Sequence, residues 1–305
     1  MSQTPQPFLS QLSIYDGRIE PCGPEQKMNG RRIVSVDHEG ESLTKVSPRE
    51  MTDFDFERFA REYLLVQVLG DLAPTVRLLA LDTDSVPFVL LAPGMPTHLS
   101  RYVDGDPPKR NVIGERLKVF ASLCQAVAGF HEAGICHLDL RPHWIQYDDA
   151  GNVRISHWRR TRVMPHCSDE SLTRFRDAEP LPFEGLLSCF EDNPSPGYLA
   201  PEIMTGGTGT PLDERSDVYA LGSILYALVC GRPICENDDV DTYASIATSE
   251  DFPALTTLMG NGKRFRAIDA ICRRAMSYER EERYPDAGEL CDALDTLVDC
   301  GWDLQ

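Results

Sequence analysis

The residues best suited to chemistry lie in the stretch His-Leu-Asp-Leu-Arg-Pro-His-Trp-Ile, residues 137–145. Asp139 carries a carboxylate that could accept the proton of a hydroxyl group, a role worth about 10²–10⁴-fold in rate. Arg141, two residues further on, carries a permanent positive charge that could face a bound phosphate. The stretch therefore places a possible general base next to a fixed positive charge.

Magnesium ions prefer hard oxygen ligands. Trp144 has no such oxygen, and His157, in Val-Arg-Ile-Ser-His-Trp-Arg, offers only an imidazole nitrogen, which is a poor substitute for a carboxylate. A packed or hydrogen-bonded role for His157 is therefore favoured over metal binding. The ten cysteines are scattered with no C-x-x-C pair, which predicts reduced, mostly buried thiols rather than a zinc site.

The elements that position these residues follow from hydrophobic periodicity. Before residue 94 the pattern predicts a hairpin with strands at 32–36 and 42–46, an amphipathic helix at 53–69, and strands at 76–81 and 87–91. From residue 94 it is mainly helical, with helices predicted at 115–133, 216–230, 264–276 and 286–298. A long, Pro-containing segment between 159 and 202 shows little periodicity. The fold class is therefore predicted as α+β, with a small β-rich lobe carrying one main helix and a larger helical lobe.

This pattern divides the 305 residues into an irregular N-terminal segment at 1–25, a small lobe at 26–93 and a large lobe at 94–305. The first segment is predicted to be irregular because proline and glycine are frequent in it. Residues 1–12 lack the basic flank and apolar core of a secretory signal. The longest apolar run, Ala220 to Cys230, is too short to span a bilayer and predicts a buried helix.

The overall charge argues against nucleic acid as a partner. Thirty basic and 48 acidic residues give a net charge of −18, so a nucleic-acid surface would need a strongly local basic patch. The densest basic run, residues 154–162, is better explained as a solvated face. We therefore expect a cytoplasmic protein with no nucleic-acid partner and no membrane span.

Four short motifs, taken in order, resemble those of eukaryotic-like Ser/Thr protein kinases. Residues 137–145 resemble the catalytic loop H-R-D-L-K-P-x-N-[IV], and Gly197–Glu202 resembles G-Y-x-A-P-E. Asp217–Gly222 resembles D-V-[WY]-[AS]-L-G, in a wording most similar to the bacterial members, and Arg280–Tyr284 resembles the closing arginine motif. The resemblance covers about residues 30–297 and implies the bilobal protein-kinase-like fold.

The resemblance also assigns roles to residues in the site. Asp139 matches the catalytic aspartate, and Arg141 stands in place of the loop lysine. Lys45 matches the strand lysine that grips the α- and β-phosphates of the nucleotide, and Glu62, seventeen residues later, matches its partner on the helix.

Four further residues receive structural roles from the resemblance. His137 begins the catalytic loop, and Asp217 is expected to accept hydrogen bonds from the backbone of that loop. Glu202 and Arg283 are expected to form a largely buried ion pair that stabilises the helical lobe.

The departures from the family pattern bear on activity. Trp144 occupies the position of the metal-binding Asn, where it would fill the space of a metal, and His157 occupies the position of the metal-binding Asp. No G-x-G-x-x-G precedes Lys45, and Leu138 replaces the Arg that pairs with a phosphorylated activation segment. These changes imply that both metal positions are degraded and that no metal is bound.

The resemblance with these departures implies a pseudokinase, a regulatory or scaffolding module that binds a protein partner and needs no cofactor. An active kinase, a phosphatase or a secretion component would each fit as the partner. The alternative is a divergent active Ser/Thr kinase, or an atypical ATP-dependent phosphotransferase. It would use Asp139, with Lys45 and Arg141 holding ATP without a standard magnesium site.

Overall fold

The protein is described by a computed structural model. It describes residues 13–14, 19–28, 31–48, 53–70, 73, 76–81, 87–103, 113–176, 196–204, 212–235 and 240–299. The chain divides into two compact units. The sheet unit comprises Met1–Met95 and Arg154–Arg159, and the helical unit comprises Pro96–Val153 and Arg160–Gln305. The predicted α+β architecture, with a β-sheet in the N-terminal region and helices in the C-terminal region, is confirmed.

The described part of the sheet unit forms a seven-stranded sheet with one helix. The strands are β1 (Ser13–Ile14), β2 (Glu20–Pro21), β3 (Gln26–Met28), β4 (Arg31–His38), β5 (Glu41–Pro48), β6 (Val76–Leu81) and β7 (Pro87–Leu91). Helix α1 (Asp53–Leu69) connects β5 to β6. The strand order is β1-β6-β7-β5-β4-β2, with β3 also paired to β4. Helix α1, β6 and β7 have the bounds predicted from periodicity.

Strands β4 and β5 form a tight hairpin whose register fixes the position of Lys45. The two residues between the strands, Glu39 and Gly40, have φ angles of 55° and 84°, as a two-residue hairpin turn requires. His38 therefore pairs with Glu41, and the ladder continues without a register shift to place Lys45 opposite Val34.

The two faces of this hairpin carry different side chains. Residues paired across two strands share a face, and alternate residues along a strand do so too. Lys45 therefore lies on the face of its partners Val34 and Leu90. The same face carries a buried cluster, against which Ile19 and Val34 pack: Val36, Leu43, Phe88 and Leu90. Arg31, three residues before Val34, lies on the opposite face.

The N-terminal segment contributes more structure than its composition predicted. Residues 1–25 were predicted to be irregular, yet β1 pairs in parallel with β6 and β2 pairs with β4. Pro21 cannot donate a backbone hydrogen bond, and it is tolerated because β2 lies at the edge of the sheet.

The helical unit is built around helices, with short strands beside them. The described helices are α2 (Ile113–Glu132), α3 (Glu170–Arg176), α4 (Pro201–Met204), α5 (Glu214–Cys230), α6 (Val240–Ser249), α7 (Leu255–Met259), α8 (Lys263–Ala275) and α9 (Ala287–Asp299). The strands that follow β7 are β8 (Thr97–His98), β9 (Ile135–Cys136), β10 (Ile145–Tyr147), β11 (Val153–Ile155) and β12 (Arg162–Val163). All of them belong to the helical unit except β11, of which Arg154 and Ile155 belong to the sheet unit. The segment predicted to lack periodicity contains β12 and α3, while its residues 177–195 lie outside the described part.

Helix α5 forms the centre of the helical unit. Every residue from Ser216 to Cys230 is buried, which agrees with the prediction of a buried core helix. The side chain of Asp213 accepts a hydrogen bond from the amide of Arg215 and caps the N-terminus, and Gly231 ends the helix with a φ of 84°. Among the described residues, no helix is long and apolar enough to cross a membrane.

Candidate functional site

The catalytic-loop stretch holds its two charged residues together. The Nε of Arg141 donates a hydrogen bond of 2.8 Å to Oδ1 of Asp139, and both side chains are buried. The amide of Asp139 donates to Nδ1 of His137 at 3.2 Å. A buried carboxylate needs such a partner, because an uncompensated charge inside a protein is strongly destabilising. The structure thus fixes the carboxylate of Asp139 against the cation that follows it.

Asp217 on helix α5 binds the backbone of the same loop. Its carboxylate accepts hydrogen bonds of 2.7 Å from the amides of His137 and Leu138. Leu138 has a φ of 62°, a backbone conformation that a branched residue rarely adopts and that costs about 1–3 kcal/mol. The two hydrogen bonds expected from the resemblance are thus present, and they hold the loop in a strained conformation.

His131, Cys136 and Asp217 form a buried group of possible metal ligands. The amide of Ala287 donates to Nδ1 of His131 at 3.1 Å, so the ring proton lies on Nε2 and points to Asp217 at 3.2 Å. A metal-binding histidine instead donates its second N–H to an acceptor. Burial also raises the pKa of the Cys136 thiol well above its ordinary value, which disfavours the thiolate that a metal requires. This group therefore does not fit a metal ion and is a hydrogen-bonded core.

Trp144 and His157 stand at the two positions that carry metal ligands in the family. Trp144 is buried at the end of a 3-10 turn, Pro142–Trp144, and its ring meets that of His143 edge-on at 6.5 Å between centroids. His157 has a φ of 67°, and its Nδ1 lies 3.0 Å from the hydroxyl of Ser156. Neither side chain has a carboxylate or amide oxygen, so the residues present at these positions do not fit a magnesium ion.

The structure corrects the expected pair of Lys45 and Glu62. The carboxylate of Glu62, on helix α1, is bound by the guanidinium of Arg31 from strand β4, and both residues are buried. Arg31 and Lys45 lie on opposite faces of the hairpin, so Lys45 faces away from this pair. The ammonium of Lys45 lies 4.4 Å from the centre of the Phe88 ring. A one-residue difference in strand phase is enough to produce this change, because it moves a side chain to the other face.

Arg31 is the partner of Glu62 that the sequence did not predict. The turn between the two strands, Asp-His-Glu-Gly at residues 37–40, could have predicted it, since a two-residue turn sets the register of every later pair. Counting back from that turn places Arg31 opposite Pro48 and Lys45 opposite Val34. The alternation along the strands then puts the two cations on different faces.

The ion pair expected between Glu202 and Arg283 is present in the helical unit. Glu202 lies on α4, and its two oxygens accept hydrogen bonds of 2.8 and 3.0 Å from Arg283. Ser216 donates a further hydrogen bond of 2.7 Å to Glu202. Burial alone would raise the pKa of Glu202, but the hydrogen bond and charge of Arg283 outweigh it, so the pKa is lowered. The pair links the motif that ends at Glu202 to the late arginine motif.

Comparisons with known proteins agree with this architecture. The protein kinase domain family matches residues 43–277. The chain is 27% identical over 250 residues to a probable serine/threonine-protein kinase of Corynebacterium efficiens, covering 79% of this chain and 34% of that protein. It is 28% identical over 183 residues to the serine/threonine-protein kinase PknB of Mycobacterium tuberculosis, covering 60% of this chain and 25% of that protein. The chain thus spans about a quarter to a third of the length of these relatives. Because the family match extends over most of the chain, this protein belongs to the protein kinase domain family.

Proposed function

We propose that this chain is a pseudokinase, a kinase-like domain that does not transfer phosphate from Mg-ATP and acts as a regulatory or scaffolding module. The observation that carries the proposal is the placement of Lys45. In an active kinase the strand lysine pairs with the helix glutamate and holds the nucleotide phosphates. Here Lys45 lies on the opposite face of the sheet from the cation that binds Glu62.

The metal positions support the same conclusion independently. Trp144 and His157 offer no hard oxygen ligand, and metal ions normally neutralise the charge that develops on the transferred phosphoryl group. Asp139 can still accept a proton, but general-base help does not replace that neutralisation. The function left to the domain is therefore binding, with a protein such as an active kinase, a phosphatase or a secretion component as its partner.

Thermal unfolding and calorimetry with ATP, each with and without magnesium or manganese, test the proposal. A nucleotide at 100 times its dissociation constant stabilises a fold by about 2.7 kcal/mol, which raises the melting temperature of a domain of this size by several degrees. We expect no shift and no measurable heat with millimolar Mg-ATP. A known active Ser/Thr kinase domain, measured in parallel, provides the positive control. Micromolar affinity for Mg-ATP would overturn the proposal.

A second candidate function follows from Asp139. This aspartate is retained, and its Oδ1 accepts a hydrogen bond of 2.8 Å from Nε of Arg141. A divergent phosphotransferase would use this carboxylate with ATP bound without a standard magnesium site. Transfer of labelled phosphate to the chain itself or to a general protein substrate, lost in Asp139→Asn, would establish this activity. Transfer that persists in Asp139→Asn would be assigned to a contaminating kinase.

A further inference from the structure

Helix α1 is attached to the sheet by a buried polar cluster formed by Arg31, Glu62 and Tyr63. The guanidinium of Arg31 binds the carboxylate of Glu62 through Nη2, and its Nη1 donates a hydrogen bond of 3.0 Å to the hydroxyl of Tyr63. All three residues are buried. One arginine on strand β4 thus contacts two consecutive residues of the helix.

The charge on Arg31 compensates the buried carboxylate of Glu62. Glu62 is 2% exposed, and a carboxylate buried to this extent is tolerated only with a compensating cation. Burial raises the pKa of Tyr63 to about 12, so its hydroxyl stays neutral and can accept the hydrogen bond from Arg31. A planar guanidinium can serve both acceptors at once, which a lysine ammonium on a flexible stem does less well.

We propose that Arg31 is the positioning residue of helix α1, in place of the strand lysine of the family, and that it holds the helix on the sheet. Strand β4 supplies the cation because its residue 31 lies on the face that meets the helix, whereas Lys45 on β5 lies on the other face. The inference does not rest on the proposed function, since the cluster can hold the helix whether or not nucleotide binds elsewhere.

Two double-mutant cycles that share Glu62→Gln test which cation is coupled to the helix. In the first, Arg31→Met and Glu62→Gln should be strongly non-additive in denaturant unfolding, because each removes the partner of the other. In the second, Lys45→Met and Glu62→Gln should be additive, because the two side chains lie on opposite faces. Coupling of Glu62 to Lys45 but not to Arg31 would overturn the inference.

Amide hydrogen exchange separates a positioning role from a general loss of stability. In Arg31→Met, exchange at Phe59–Val66 of helix α1 should accelerate by about tenfold or more, while exchange in helix α5 should stay unchanged. Arg31→Lys, which keeps the charge, should recover part of the protection. Equal acceleration in both helices, or no acceleration in α1, would contradict the assignment. If Arg31→Met does not fold, Arg31→Lys alone decides, since α1 must then lose protection while α5 keeps it.

Discussion

Replacing Arg283 with alanine should destabilise the helical unit more than any exposed substitution near it. The guanidinium has five N–H donors, and all five have acceptors. Nε donates to the carbonyl of Ser277 (2.7 Å), and Nη1 donates to Glu202 (2.8 Å) and to the carbonyl of Arg215 (3.1 Å). Nη2 donates to Glu202 (3.0 Å) and to the carbonyl of Tyr278 (3.3 Å). The substitution removes all five hydrogen bonds and leaves a buried carboxylate without its cation.

The expected cost follows from that uncompensated charge. Breaking a buried ion pair from either side costs about 3–5 kcal/mol, so Arg283→Ala and Glu202→Ala should each fall in this range. The double variant removes both charges and should be less destabilised than the sum, by about 1–3 kcal/mol. With a urea slope of about 2 kcal/mol per M, each single substitution moves the midpoint by about 1.5–2.5 M.

Urea unfolding of the four proteins, followed by circular dichroism, measures this cycle. Glu281→Ala is the matched control. Glu281 is exposed, and its Oε1 lies 3.7 Å from Nε of Arg280. Exposed ion pairs contribute little to the free energy of unfolding. Additive losses in the double variant would refute the reasoning, since they would mean that the two charges do not stabilise each other. A loss in Glu281→Ala as large as in Arg283→Ala would refute the role assigned to burial.

The same pair predicts a pH dependence, and other contacts predict further stability changes. The pKa of Glu202 is lowered in the folded protein. The ion pair with Arg283 therefore stabilises the fold fully above the ordinary pKa of a glutamate, and this stabilisation is lost as the pH falls through the lowered pKa. Glu202→Gln should accordingly flatten the acid side of a plot of unfolding free energy against pH. Gly222→Ala should destabilise the protein by about 1–3 kcal/mol, since the new Cβ would lie 2.6 Å from the Cβ of Ala275 on α8. Gly129→Ala has open space around the new Cβ and should stabilise helix α2 by about 0.5–1 kcal/mol. Asp217→Asn should cost about 1–3 kcal/mol, because one of its two backbone donors loses its acceptor, while Asp292→Asn at an exposed site of α9 should leave the midpoint unchanged. Melting curves compare Gly222→Ala with Gly129→Ala, and Asp217→Asn with Asp292→Asn. In each pair the first variant should melt at the lower temperature, and the opposite order would contradict the explanation.

The sequence predicted best those features that depend on local pattern or on residues fixed by motifs. Helix α1 and strands β6 and β7 have the predicted bounds, because apolar periodicity reports directly on which face is buried. Glu202 and Arg283 form their pair 81 residues apart, and Asp217 binds the loop, because these residues lie inside motifs that the chain retains. Their roles concern the stability of the fold.

The prediction failed where the outcome depends on strand phase. Lys45 and Glu62 have a suitable spacing, but spacing does not determine which face of a strand a side chain occupies, and a shift of one residue reverses it. The strands β1 and β2 were missed because each has only two residues, too few for an alternating side-chain pattern.

The parallel pairing of β1 with β6 also constrains how the sheet is completed during synthesis on the ribosome. Ser13 emerges early, yet its pairing partner is Ala80. A nascent chain that has emerged only as far as Pro48 can close the β4–β5 hairpin, but the cluster around Val36 still lacks Phe88 and Leu90. Translation proceeds at about 5–20 residues per second. The apolar face of the hairpin is therefore exposed for several seconds before Phe88 and Leu90 are synthesised, which is long enough for a chaperone to bind it. Slowing translation just after β5 should therefore increase the dependence of this protein on chaperones.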